Sequence, residues 1–322
     1  MTTDPPTAAV RRMQQLCREQ ADDLRETLER TQETVAAPGT PASRDHARML
    51  SWTRSTDRQD LWSRAAINAL HMAVAVGDHL RALSVLLADP DDVPIYTHAT
   101  VARAAVESAA TIMHLTDATV PSAVRFARGV ALLITDSDAA RRAAAQVPNI
   151  GPMKAPGPAF AAQHQRLLDL LDRAKIQIVK GRDGKPKGVI VEPGGPEQPI
   201  SVKASDLVRG AFTDLYAVYP MLSGVTHAMP WRLSDSADIT GRQAHWSADP
   251  VDVGGSVIPA LAAALRTAEA HARYRGQDQD LSLDRMRRRY RAGDDALKQL
   301  MLYRRGTPNG VPLSAFRLTG GA

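Results

Sequence analysis

The sequence predicts a mostly α-helical bundle with a small β-hairpin insertion, and three observations carry that reading. Long stretches repeat apolar residues at helical spacing, punctuated by glycine and proline. Hydrophobic residues make up 44% of the chain and aromatics only 4%, so alanine, leucine and valine must supply the core, a composition that suits closely packed helices. The period turns strand-like after Ala174, in one short region.

Residues 8–37 read as an amphipathic helix whose apolar side is Val10, Met13, Leu16, Cys17, Leu24, Leu28 and Val35; Pro38-Gly39-Thr40-Pro41 ends it. It is an arm packed on the body or, since its spacing is partly heptad-like, a dimerisation arm. A short helix in 43–57 and a long one over 60–88 follow, the latter closed by Asp89-Pro90. The segment Asp91–Tyr96 is a loop into a helix over Thr97–Leu115, THATVARAAVESAATIMHL. The next helix spans 121–146, with Pro121 in its first turn. Four prolines and two glycines make 147–158 a loop, and 159–175 is helical again. Two strands, 176–180 and 188–191, flank the turn Arg182-Asp183-Gly184-Lys185, and Ile200–Val202 is a third candidate.

Ser205 is placed as the cap of a helix over 206–219, which Pro220 kinks or restarts. Residues 232–254 look irregular. A helix over 257–274, with Pro259 in its first turn, ends at Gly276, and a basic amphipathic helix spans 281–305 before an extended tail. The expected division is an N-terminal helical arm at 1–41, a bundle at 43–276 with its β insertion at 176–203, and a basic helix and tail at 277–322. No internal repeat at a fixed period is present.

With 322 residues, the chain exceeds the usual size of one domain. Its 40 basic and 35 acidic residues are interspersed, so a net charge of +5 permits contact with phosphates without demanding it. The single cysteine excludes an intramolecular disulfide and a cysteine-based zinc cage. The first residues lack the apolar core of a signal peptide, and the apolar runs stop short of a membrane span, so a cytoplasmic protein making no membrane contact is expected. The sequence has no GxSxG elbow, HExxH, GxGxxG, EF-hand loop or Glu-x-x-His pair, and GRDGKPKG lacks the glycines and the Lys-Ser/Thr of a phosphate loop. No metal and no cofactor is expected.

The helix over Thr97–Leu115 is apolar or small almost all the way round, yet carries Arg103, Glu107 and His114 within one stripe at ~100° per residue. A polar stripe on such a helix faces a polar cavity or a network that fixes register, or is merely a solvated face. Ser223 and His227, one turn apart in YPMLSGVTHAMPW, are their expected partners across the bundle, with Tyr216 and Tyr219 near the same stripe if the helix runs on through Pro220. A carboxylate and a histidine brought together in this way can exchange protons with a substrate. The candidate catalytic set is therefore Arg103, Glu107, His114, Ser223 and His227. The candidate pocket set adds Asn68, His71 and Asp78, a second polar stripe, with Arg125, Arg128 and Tyr219; Asp78 is a candidate partner for His227. In RMRRRYR, Arg285, Arg287, Arg288, Arg289 and Arg291 either contact nucleic-acid phosphates or form a solvated face.

The order of Asp78-His79-Leu80-Arg81, then Arg103 and Glu107, then Arg125 and Arg128, then Tyr219, Ser223 and His227 resembles uncharacterised actinobacterial helical families and, more distantly, HEPN-type helical domains. The likeness spans roughly residues 60–275. It implies a helical fold, frequent dimerisation and a setting in toxin or phage-defence systems, where some members are ribonucleases. Those ribonucleases use an arginine and a histidine separated by four to six residues on one helix. No such pair is expected on a helix of this chain, and Arg103 to His114 is longer than that, so no catalytic motif is carried over. The leading expectation is an HEPN-like protein that binds or processes RNA or DNA. The alternatives are a small-molecule enzyme or sensor using the polar stripes as a pocket, and a homodimeric scaffold without catalysis, joined through the N-terminal arm.

Overall fold

A computed structural model describes residues 5–33, 35–52, 55–148, 156–215, 217–233, 236–240, 243–277 and 281–306. The expected tail beyond 306, Tyr216 and most of the expected 147–158 loop lie outside them. The described residues form the expected mostly α-helical bundle with a small antiparallel sheet.

The helices are α1 (Pro5–Glu33), α2 (Pro41–Ser51), α3 (Thr56–Leu86), α4 (Thr97–Leu115), α5 (Ser122–Ala145) and α6 (Gly157–Arg173). After the strands β1 (Gln177–Lys180), β2 (Pro186–Ile190) and β3 (Gln198–Pro199) come α7 (Ala204–Ala211), α8 (Val218–Thr226) and α9 (Pro230–Leu233). A hairpin of β4 (Ala237–Thr240) and β5 (Gln243–Trp246) precedes α10 (Pro250–Arg275) and α11 (Leu281–Gly306). In the first sheet β2 is central, with Ile178 opposite Val189 and Gly188 opposite Pro199.

Two apolar cores organise these elements. In the larger, α1, α3, α4, α10 and α11 close around Leu16, Leu80, Val106 and Leu261, with α7 and α8 against its side. In the smaller, α5 and α6 pack with Leu61 of α3 on Val189 and Val191 of the sheet region. The α10 helix is long and apolar enough to span a membrane, but 78% of its apolar window is buried, which marks it as the central core helix. Its Asp249 cap accepts from the Val251 amide at 2.9 Å, and Gly276 ends it at φ 77°, a left-handed conformation that glycine adopts without steric cost.

Several boundaries differ from expectation for physical reasons. The first helix is part of the core: Val10, Met13, Leu16, Cys17, Leu24 and Leu28 are buried against α3, α10 and α11, so the apolar face is spent within the chain. Val35 lies beyond its end and is exposed. The segment 206–219 divides into α7 and α8 at Phe212, whose buried ring anchors the break; Pro220 sits harmlessly in the first turn of α8, and Lys203 rather than Ser205 is the cap position of α7. Residues 232–254 hold α9, a hairpin and the start of α10, so Pro259 is interior to that helix. The third strand falls at Gln198–Pro199 rather than at Ile200–Val202.

Candidate functional site around Arg103

Helix α4 has no glycine or proline, and its alanines allow close approach to α3 and α10. His98, Ala102, Ala105, Val106, Ala109 and Ile112 form its inner side. Arg103 and Glu107, one turn apart, emerge where α8 crosses. Arg103 Nε donates to Glu107 Oε1 at 2.8 Å, Nη1 meets His227 Nε2 at 2.9 Å, and Nη2 donates to the Tyr219 hydroxyl at 3.2 Å. The guanidinium also lies 5.3 Å from the centre of the Tyr219 ring. One planar cation thus joins a carboxylate, an imidazole and a phenol.

Because a guanidinium can only donate, His227 accepts at Nε2, and a neutral ring then carries its proton on Nδ1. Burial works against the charge of Arg103, but the hydrogen bond and charge of Glu107, together with Tyr219, outweigh it and hold the arginine pKa above its ordinary value. The cluster lies at the surface: the Arg103 and Glu107 side chains are 15% and 31% exposed, and His227 is exposed. Tyr219, Ser223 and His227 share one stripe of α8 and its cap, and the His227 amide donates to the Ser223 carbonyl at 3.0 Å. Ala228 then takes φ 51°, a left-handed conformation uncommon for alanine, so strained backbone follows directly after the histidine. Exposed Met221, Met229 and Trp231 flank the stripe, with the Trp231 ring over Gly224.

The remaining expected residues do not converge here. His114 lies two turns from Glu107, half-buried beside Arg128 and Asp117; burial, with the charge of Arg128 against the opposing pull of Asp117, lowers its pKa to about 4. Arg128 donates to the His114 carbonyl at 2.7 Å and meets Asp117 at 3.3 Å, closing the end of α4. His71 and Asp78 are exposed and Asn68 is half-buried. Asp78 pairs with Arg81 at 3.2 Å and not with His227. Helix α3 is apolar on several sides, and the structure buries Leu61, Ala73, Val76, Leu80 and Leu83 while leaving Ile67, Val74 and Val85 outside, so the polar stripe falls on the outer surface.

Arg125 lies in a separate place, in a buried ion pair with Asp45 that includes Tyr274. In the basic helix, Arg285 binds Asp23 and Glu26, Arg287 binds Glu269 and Asp284, and Arg289 binds Glu19 and Asp23. Arg288 and Arg291 are exposed. Arg285 and Arg289 thus hold α11 against the acids of α1, and Arg287 ties it to α10.

The expectation that no arginine–histidine pair of the four-to-six-residue interval stands on a helix is corrected: Arg64 and His71 lie on α3, and Arg266 and His271 on α10. Arg64 is tied to Asp60 at 2.9 Å and faces solvent. Arg266 turns to the Ala211 carbonyl, Asp214 and the Phe212 ring, whereas His271 lines a half-open pocket. A search by spacing alone would have found both pairs. Also unforeseen are two buried polar pairs: His98 Nδ1 with the Ser256 hydroxyl at 2.9 Å, and Arg232 with Asp252 at 2.7 Å. Among the described residues no group of three or more His, Cys, Asp or Glu side chains is arranged to hold a metal ion.

No family model matches the chain, and no curated protein or solved structure matches it either.

Proposed function

We propose that the chain is an HEPN-like helical protein that binds and processes RNA, in a toxin or phage-defence setting, and that its working site is the Arg103–Glu107–Tyr219–His227 cluster. The observation that supports this most is the three-way hydrogen bonding of one partly exposed arginine to a carboxylate, a neutral imidazole and a phenol. A guanidinium presents paired donors that match a phosphodiester, and it keeps its charge at any working pH. Glu107 holds one edge of it in place. When Nη1 turns from His227 to a phosphate oxygen, Nε2 of His227 is released to act as a base.

In the reaction this arrangement favours, His227 takes the proton of a ribose 2′-hydroxyl. The 2′-oxygen bonds to phosphorus while the bond from phosphorus to the 5′-oxygen breaks. Tyr219 gives its proton to that leaving oxygen and regains one from the imidazolium. The products are a 2′,3′-cyclic phosphate and a 5′-hydroxyl, with Arg103 stabilising the charge that builds on the phosphate. Exposed Trp231 offers a face on which a base can stack. Arg288 and Arg291 are the members of the basic run left for phosphate contact.

The test is incubation of a labelled single-stranded RNA with the full chain in the presence of a chelator. Cyclic-phosphate ends are expected, and they should disappear in Arg103→Ala and His227→Ala. Absence of both cleavage and binding at ~50 mM salt, where phosphate attraction is strong, overturns the proposal. Undiminished cleavage by both variants moves the activity away from this cluster.

A further inference from the structure

A half-open pocket of about 220 Å³ lies between α3, α5 and α10, and the Arg103 cluster has no part in it. Its wall is apolar. Trp62 and Phe126 meet with ring centroids 5.5 Å apart, and Leu70 and Leu115 continue the surface. Ala69 and Gly129, both small, leave the space open. A Cβ on Gly129 would stand 2.7 Å from that of Ala65, so α3 and α5 meet on glycine and bring the two aromatic walls together.

One end of the cavity is polar, and its charges are already matched. Asp45 Oδ1 accepts from Arg125 Nη2 at 2.7 Å, and Oδ2 accepts from Arg125 Nε and from the Tyr274 hydroxyl, both at 2.8 Å. Arg125 Nη1 donates to the carbonyls of Asp117 and Val120. Arg275 at the rim has partners of its own. His271, one turn before Tyr274, lines the same cavity, and its buried Nε2 meets no hydrogen-bond partner among the described residues. Burial, with the charge of Arg275, lowers its pKa to about 4, so the ring is neutral near pH 7.

A buried polar atom without a partner is costly, and an apolar wall left facing water is unfavourable. A ligand that fills the space and bonds to one nitrogen removes both penalties. An apolar cavity of ~150 Å³ admits benzene, so this one has room for a second ring. We infer that the cavity binds a neutral aromatic molecule of one or two rings, packed against Trp62 and Phe126 and joined by one hydrogen bond to Nε2 of His271. A charged ligand would bring a charge to an end where Asp45 and Arg125 already neutralise each other. The site shares no residue with the proposed RNA-processing cluster, so failure of either leaves the other standing.

The test is calorimetric titration of the full chain with indole, with benzoate as the charged counterpart. Saturable binding of indole at one site is expected, with benzoate weaker. Ala69→Phe, which fills the cavity, should abolish binding, and His271→Leu should weaken it about tenfold by removing one hydrogen bond. In case these variants fold poorly, the wild-type chain supplies a second readout. Indole should shift the ring-nitrogen resonances of one histidine, assigned to His271 through His271→Gln. No heat and no shift up to millimolar indole, binding retained in folded Ala69→Phe, or benzoate binding more tightly than indole would each overturn the inference.

Discussion

Arg103 Nη1 and His227 Nε2 lie 2.9 Å apart although 124 positions separate them in the chain. The bond ties the middle of α4 to the end of α8, and Glu107 holds the guanidinium from its other edge. The same atoms that fix helix register also form the proposed reacting group, so the division between the two roles shows only when stability and activity are measured on the same variants.

Glu107→Ala tests that division. The pair is partly exposed, so its loss should cost about 1–2 kcal/mol, between the ~0–1 kcal/mol of a surface pair and the 3–5 kcal/mol of a buried one. Urea melts of variant and parent measure it, and a loss as large as that of a buried pair would show that the cluster works mainly as a structural tie.

Asp45→Ala should be more damaging. Arg125 and Asp45 are 3% and 1% exposed, and removing the carboxylate strands both a guanidinium and the Tyr274 hydroxyl. A cost of about 3–5 kcal/mol is expected. Replacing Asp45 and Arg125 together with apolar residues should cost less than Asp45→Ala alone, and a double variant as unstable as the single one would contradict this account.

Stability should fall with acid in a defined window. His98 is held at about 4 mainly by burial, with Asp252 and a backbone bond pulling the other way, and His271 sits at about 4 as well. These folded-state values lie below the ordinary 6.5, so the unfolded chain binds protons first. The stabilising effect is therefore complete above ~6.5 and is lost as pH falls toward 4, by up to about 3 kcal/mol for a histidine buried like His98. Thermal melts between pH 7 and 4 should show a decline that His98→Gln flattens; parallel profiles would remove His98 as a cause.

The arginines of α11 should divide into two groups. Arg289→Ala, which unpairs Glu19 and leaves Asp23 to Arg285 alone, should lower the denaturation midpoint, while Arg288→Gln and Arg291→Gln should change it by less than ~0.5 kcal/mol. If RNA binds, the latter two should each flatten the log–log salt dependence by roughly 0.7. A salt slope that responds to Arg289 and not to Arg288 would reverse the assignment.

Ala228→Gly should stabilise the fold by about 0.5–1 kcal/mol, since glycine adopts φ 51° without steric cost. If the alanine strain positions His227 for chemistry, RNA cleavage should drop in the same variant. A variant that is both more stable and fully active would leave the strain without a role in catalysis.

Much of the helical layout was legible in order of residues. The helix over Thr97–Leu115 has the expected ends, because Pro90 and Pro94 hold the preceding loop out of helix and its alanines favour helix throughout. The union of Arg103, Glu107, Tyr219 and His227 was also legible, since polar side chains on otherwise apolar helices must find one another once those helices pack. The stripe of Asn68, His71 and Asp78 obeyed the same rule of spacing and came out on the surface, because α3 has more apolar sides than the core has room for.

Local chemistry alone therefore determined the fold class, the hairpin insertion, the boundaries set by caps and breakers, and the polar stripe of α4. Tertiary packing decided which side of α3 faces inward, that α1 is a core helix, and that the arginines of α11 meet the acids of α1. It also decided that Asp45 meets Arg125 across 80 positions, and that Trp62, Phe126 and His271 line one pocket. Helical periodicity gives the direction of each side chain around its own axis. Only the contacts between helices say which directions point toward one another.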